Sequence, residues 1–429
     1  MNIVKQGGGF VQRLVGLKVK TEREWRECPR CGGRDTIRNG GRRVRPQTLE
    51  GRREERVQRH WCRTCRRVYE EESAERVRGS WYGRDVRRMV VDLWQHDGVS
   101  VRKVVELVRA LVGKQERWGK WRPGAKEPGD REKCHLSVST VERWLVRVGE
   151  EARRRVPGQL EGVPMSGQMG VDGLWVRLRK GKAGSLLALV DRVTGVVLPP
   201  IVVPNEIEPR GWKRLFRRAM IAGVDPDQIL GVVSDGALGL RRFLLEGMEW
   251  VNHQRCVFHL WRELLTVVRR VAKAAAADLT GAAADELRQR VRTELVRLLR
   301  AVFDASSEAA AQLALSSLQN HSHGAPVAAA LAPLLEAAFV HTKAHNHGLG
   351  RTVPEWIWRD YRLRLSHGRN HGSVIRQEQA AVVWAIYHNF TPAQWRQERK
   401  RHYRHPGQSP FQVAGLDTQG VSYLDALLI

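Results

Sequence analysis

Residues 169–203 read MGVDGLWVRLRKGKAGSLLALVDRVTGVVLPPIVV. Three short runs rich in Val, Leu and Ile are separated by Gly-containing turns, the pattern of consecutive strands. Downstream, 211–224 (GWKRLFRRAMIAGV) reads as a helix and 229–235 (ILGVVSD) as an apolar strand ending on Asp235. Residues 236–248 (GALGLRRFLLEGM) read as a helix, and 249–260 (EWVNHQRCVFHL) as a strand running into a helix. Three strands followed by alternating helix and strand predict an α/β fold, a mixed sheet with helices on its faces.

The alternation stops after this stretch. Residues 262–348 are Leu/Ala-rich and helical, with a His/Gly-rich break at HTKAHNHGLGR (341–351). A last part, 349–429, contains the helical run VIRQEQAAVVWAIYHNF (374–390) and a basic tail. On the N-terminal side, 79–160 reads as helices: VRRMVVDLWQHDGVSVRKVVELVRALV (86–112), then LSVSTVERWLVRVGEEARRR (136–155) with an apolar stripe of Val141, Leu145 and Val148. Short Ser-containing turns before the helices give the shape of a helix-turn-helix module, in which Arg143, off the stripe, points outward.

Charge separates the front of the chain from its body. The 429 residues carry 73 Lys+Arg against 46 Asp+Glu, a formal charge of +27, and +17 of it lies in residues 1–160. Such a balance favours a polyanionic partner, and its position predicts a nucleic-acid-binding front on a working domain. No run approaches ~18 apolar residues, so no membrane span is expected. The N-terminus MNIVKQGGGF lacks an apolar h-region, which together with the cysteine usage predicts the reducing cytoplasm.

Four of the six cysteines form two C-x-x-C pairs, Cys28/Cys31 and Cys62/Cys65, with 30 residues between the pairs. Two such knuckles predict a closed four-sulfur structural zinc site, here as a zinc ribbon over 1–78. Arg42 and Arg43 lie between the knuckles and suit phosphate contacts. Cys134 and Cys256 are left over, and a buried free thiol is the default for each.

Asp172 sits inside the first strand of the opening stretch and Asp235 ends the fourth. A carboxylate inside an apolar strand costs desolvation unless it binds a cation or accepts hydrogen bonds. Asp191, after the second strand, reads as a turn residue. The order of strands and acids, followed by Cys256-Val257-Phe258-His259, a helical stretch and an acidic helix, resembles the Mutator-like and related bacterial insertion-sequence transposases. The ending YHNFTPAQWRQERKRHYRHPGQSPFQVAGL (387–416) is similar to the tails of such enzymes.

The resemblance implies an RNase H-like core in two parts, 161–261 and 349–429, interrupted by an all-helical insertion at 262–348. It implies an Asp-Asp-Glu catalytic set, with the third acid in Arg351-Thr352-Val353-Pro354-Glu355. The Asn residues usual there are missing and the Thr-to-Glu spacing is shorter, so Glu378 and Glu263 stand as alternatives to Glu355. Asp172, Asp235 and Glu355 would hold two Mg²⁺ (or Mn²⁺) for cleavage and strand transfer of double-stranded DNA. Cys256 and His259, three residues apart and on one face if both are helical, would organise the core near those acids. Trp356 and Arg359 would contact distorted DNA near the cut. Synapsis of two element ends implies a homodimer or higher oligomer, acting on the nucleoid. A domesticated, non-catalytic zinc-dependent DNA-binding regulator and an RNase H-like nuclease without strand transfer are the competing readings. His341, His345, His347, His367 and His371 are read as surface or phosphate-facing residues rather than a metal cluster.

Overall fold

The computed structural model describes residues 27–71, 80–95, 98–113, 136–178, 183–343, 349–353, 359, 361–362, 373–392, 405 and 407–427. They belong to two compact units, one within Met1–Arg155 and Asp360–Ile429, the other within Val156–Arg359.

In the first unit, β1 (Thr36–Val44), β4 (Glu55–Cys62) and β5 (Arg67–Glu70) form an antiparallel sheet in the order β1-β4-β5. The short strands β2 (Gln47–Thr48) and β3 (Gly51–Arg52) pair separately. Three helices follow, Arg84–Gln95, Val101–Gly113 and Val138–Arg154. They share one core of Val86, Val90, Val104, Val108, Leu136, Val141 and Trp144. The third helix is capped as its Ser/Thr start predicts: the Ser137 hydroxyl accepts the Thr140 N–H at 3.1 Å. Its buried stripe is Val141, Trp144 and Val148, with Leu145 only half-buried, so the face is rotated by one position from the sequence reading.

The helix Val374–Phe390 belongs to this same unit and is buried along 377–390, as expected of its middle, Ala380–Ile386, which has no polar face. It lies against Val138–Arg154 so closely that a Cβ at Gly149 would sit 2.7 Å from Cβ of Gln379. Further on, the Tyr423 hydroxyl donates to Asp92 at 2.8 Å, and Arg88 is bonded to Asp425.

The second unit is built on β6 (Gln168–Arg177), β7 (Ala183–Asp191), β8 (Ile201–Val203), β9 (Gly231–Ser234) and β10 (Asn252–Arg255). Their order is β10-β9-β6-β7-β8. β7 runs antiparallel to both its neighbours, whereas β6 with β9 and β9 with β10 are parallel. The expected mixed sheet is therefore present. Helices Pro209–Ile221 and Leu238–Gly247 follow β8 and β9.

From Val257 the chain becomes helical, through Val257–Ala275, Gly281–Phe303, Glu308–Gln319 and Ala325–Leu331. Leu260, Leu264, Val268, Leu295, Leu299, Leu318, Leu331 and Phe339 make one shared core, so this stretch is a helical bundle set into the chain after the last strand. None of the described helices is long and apolar enough to cross a membrane.

Candidate functional site

The parallel register of the sheet brings the two aspartates together. Val171 of β6 lies opposite Ser234 of β9, so the next residues, Asp172 and Asp235, leave the ladder side by side. Asp172 is only 4% exposed, and its Oδ1 accepts the backbone N–H of Gly173 at 2.8 Å. Asp235 is half-buried in the turn after β9 and accepts the Ala237 N–H at 3.0 Å. That turn needs glycine, because Gly236 has φ +83 and the Arg255 guanidinium occupies the place of its missing side chain. Arg255 in turn donates to Glu263 at 2.7 Å.

The turn is also braced from β10. The Ser234 hydroxyl takes the Gly236 N–H at 3.0 Å and lies 2.8 Å from Nε2 of His253. Burial, then the charges of Arg241 and Arg255, push the imidazole down from 6.5 to about 4, so it is neutral near pH 7. An unfolded chain takes up this proton near 6.5 and the folded chain only near 4. The associated stability is therefore present above 6.5 and is lost as pH falls towards 4. Urea unfolding at pH 7.5 and pH 5 is expected to show a smaller acid loss in His253→Gln than in the parent. An equal loss would mean that His253 is not a source of the acid sensitivity.

A third acid at this end of the sheet escaped the sequence reading. Glu206 follows β8, and its Oε2 lies 2.0 Å from where a Cβ on Gly173 would be. Burial first, and then the negative charge of Asp235, raise its carboxyl above the usual range. Its backbone carbonyl accepts the Trp212 indole N–H at 2.8 Å and passes close over Gly239. In sequence, Asn205-Glu206-Ile207-Glu208-Pro209 looks like an ordinary charged helix start, and nothing local points to β6. Asp191 is the turn residue expected. Buried at the end of β7, it accepts the N–H groups of Ser166, Val193 and Thr194 and the hydroxyls of Ser166 and Thr194.

Glu355 and Trp356 lie outside the described residues. The segment just before them, 349–353, is fixed in the second unit. Val257 N–H donates to the Arg351 carbonyl at 2.9 Å, and Arg192 Nε donates to the Thr352 carbonyl at 3.2 Å. Val353 N–H points at Cys256 Sγ at 3.4 Å, and the Cys256 N–H donates to the Ser234 carbonyl at 2.7 Å. Cys256 thus links the strand end that bears Asp235 to the segment that leads to Glu355. It stands at the N-cap of helix Val257–Ala275 with extended geometry, so it and His259 do not share a helical face. Of the alternatives, Glu263 is bonded to Arg255. Glu378 is 2% exposed and 3.6 Å from Arg153 in the first unit. His341 contacts Gln254 through its backbone N–H, while His345, His347, His367 and His371 lie outside the described residues.

The four cysteines can hold a tetrahedral ion. Sγ of Cys28 and Cys65 are 3.7 Å apart, Sγ of Cys31 and Cys62 3.6 Å, and all four lie within 4.8 Å of one another. Sulfurs about 2.3 Å from a central zinc have edges of about 3.8 Å, so the set fits that ion. Cys28 N–H donates to the Gly33 carbonyl at 2.9 Å, and Gly32 (φ +69) turns the first knuckle. Among the described residues this is the one set of three or more metal-ligating side chains so close together; the sheet-end acids are more widely spaced.

The arginines singled out in sequence are partly engaged. Arg42 meets Glu70 at 3.4 Å and Arg43 meets Glu54 at 3.3 Å. Arg143 folds back on the Ser139 carbonyl at 3.3 Å, and Arg359 is exposed.

Comparison with known proteins bears on this arrangement. Residues 197–344 match the family model described as Transposase, Mutator family, a span that includes Glu206, Asp235, Cys256 and His259. The chain is also similar to the transposase for insertion sequence element IS905 of Lactococcus lactis subsp. lactis (strain IL1403), at 23% identity over 201 residues. That match covers 45% of each chain, so this chain spans less than half the length of that relative.

Proposed function

From the premise that the stretch 197–344 is of the Mutator transposase family, we propose that the chain is a DNA transposase that binds element ends and cuts and joins DNA with a divalent metal. The observation that carries this reading is the β6/β9 register, which sets Asp172 beside Asp235 at one sheet end. The strand order, with only β7 reversed, supports an RNase H-like core.

Asp172, Asp235 and Glu355 are the Asp-Asp-Glu set, and Glu206 adds a fourth acid beside the pair. Mg²⁺ or Mn²⁺ held by these oxygens would supply Lewis-acid activation of the attacking oxygen and stabilisation of the leaving one in an in-line displacement at phosphorus. The protein's own part is positional. His253 and Ser234 hold the Asp235 turn, Arg255 packs over Gly236, and Cys256 holds the approach to Glu355. In front, the four-cysteine module and the three helices around Trp144 form the DNA-binding part, with Arg42, Arg43 and Arg143 as phosphate contacts. Trp356 and Arg359 lie near the cut DNA. The working form is a homodimer or higher oligomer on the bacterial nucleoid, pairing two ends.

The test uses a supercoiled plasmid carrying the sequences that flank the coding region, the purified zinc-loaded chain and Mg²⁺. Cleavage at the ends followed by joining of the freed 3′ ends to new DNA is expected. Cutting without joining would make the chain a nuclease, and binding without cutting would make it a regulator.

A further inference from the structure

The positive charge of the first unit is not spread evenly over paired side chains. Several of its placed arginines meet carboxylates: Arg42 with Glu70, Arg43 and Arg45 with Glu54, Arg88 with Asp425, Arg153 with Glu378 and Arg154 with Glu151. Three do not. Among the described residues, no carboxylate pairs with Arg84, Arg87 or Arg147, and Arg84 Nε is buried without a hydrogen-bond partner.

These three converge from two helices. Arg84 and Arg87 are three apart on Arg84–Gln95, as Trp144 and Arg147 are on Val138–Arg154, so each pair shares a face. The Arg87 Cζ sits 5.1 Å from the centroid of the Trp144 ring. That ring is itself fixed, being 6% exposed and edge-on to Tyr82 at 5.5 Å. The Arg87 guanidinium is thus held on an aromatic face rather than free to seek water. Burial, then repulsion from Arg147 and Arg84, bring it down to about 10, far below the usual arginine range.

A protein that needed only to cover Trp144 could do so with an uncharged side chain. Three cations held together, two of them half-buried, are unfavourable until an anion joins them. A planar guanidinium fork suits the paired oxygens of a phosphodiester. A second feature points to a nucleotide rather than to a lone phosphate. Trp81, three residues before Arg84, is 83% exposed although its carbonyl is pinned by the Gln47 N–H at 2.8 Å. An exposed indole three residues from Arg84 suits stacking on a sugar or base next to the bound phosphate.

We infer that Arg84, Arg87 and Arg147, backed by Trp144 and flanked by Trp81, form a preformed seat for one backbone phosphate of duplex DNA. This rests on the reading of the first unit as DNA-binding and adds the residues that anchor it.

The test measures binding of the full-length, zinc-loaded chain to a mixed-sequence 30-bp duplex between 50 and 300 mM NaCl. Each phosphate contact contributes about 0.9 to the slope of log affinity against log salt. Arg147→Gln, at an exposed position, and Arg84→Gln/Arg147→Gln are both expected to bind more weakly at every salt. The double variant should lose about 0.9 from the slope. Lys103→Gln, whose ammonium is paired with Glu106, should keep the parent slope. Both arginine variants should melt no lower than the parent, since like-charge repulsion is relieved. Parent slope and affinity in both would overturn the seat, and a lowered melting temperature in the exposed single variant would make the cluster structural. If the parent itself fails to bind the duplex, the DNA reading of the whole unit falls first.

Discussion

Asp235→Asn is expected to lower strand cleavage by at least about 10²–10³-fold, the range seen when one electrostatic contact to a transition state is removed. DNA binding should stay within about threefold of the parent. The asymmetry follows from where the residue sits. Its carboxylate makes a local bond to the Ala237 N–H at 3.0 Å, and an Asn side-chain oxygen can keep that bond. The turn is otherwise held by Gly236 at φ +83, by Ser234 and His253, and by Arg255, none of which the change removes. What is lost is a full negative charge beside Asp172. Single-turnover cleavage of an end-bearing duplex reads the rate, and a gel-shift on the same duplex reads the binding. Cleavage at the parent rate would end the catalytic assignment of Asp235.

Cys62→Ser should have the largest effect on the front of the chain. Cys62 is fully buried between β4 and the second knuckle, and its sulfur is one of four that close the site. Besides its cysteines, the described buried side chains of this small sheet are few: Val44, Val57, His60 and Tyr69. Structural zinc contributes on the order of 10–16 kcal/mol to the folding of small zinc modules, more than so small a core can replace. Zinc content is therefore expected to fall from one ion per chain towards none. Limited proteolysis should then cut within 27–71 while the second unit stays protected. Specific end recognition should be lost with it. A Cys62→Ser protein that keeps one zinc and binds its ends with parent affinity would contradict both roles of the module.

Much of this layout is legible in the sequence. The β-branched runs of 169–203 and the apolar 229–235 specify strands by their period, and the C-x-x-C pairs specify the knuckles by their spacing. Asp191 was recognisable as a turn residue because its neighbours Thr194 and Gly195 are turn formers. What failed to show was whatever depends on pairing across long stretches of chain. Glu206 is acidic in an unremarkable local setting, and only the sheet brings it to Gly173 and Asp235. The middle of helix Val374–Phe390, Ala380–Ile386, is apolar all round, which says that it is buried but not against what; its partner Val138–Arg154 lies some 220 residues earlier. Arg87 could not be told from the other arginines in front, because its distinction is to lie on Trp144 with no acid at hand.

On the proposed function, the sheet end bearing Asp172 and Asp235 holds the divalent ion that cuts DNA. Replacing Asp235 by Cys puts a soft sulfur where a hard oxygen stood, and Mn²⁺ accepts sulfur more readily than Mg²⁺ does. Cleavage of an end-bearing duplex should then be measured in each metal for parent and Asp235→Cys. The parent is expected to cut in both metals and to stop with chelator, and the variant to be silent in Mg²⁺ and partly active in Mn²⁺. A variant that cuts in Mg²⁺ as fast as the parent would contradict the claim.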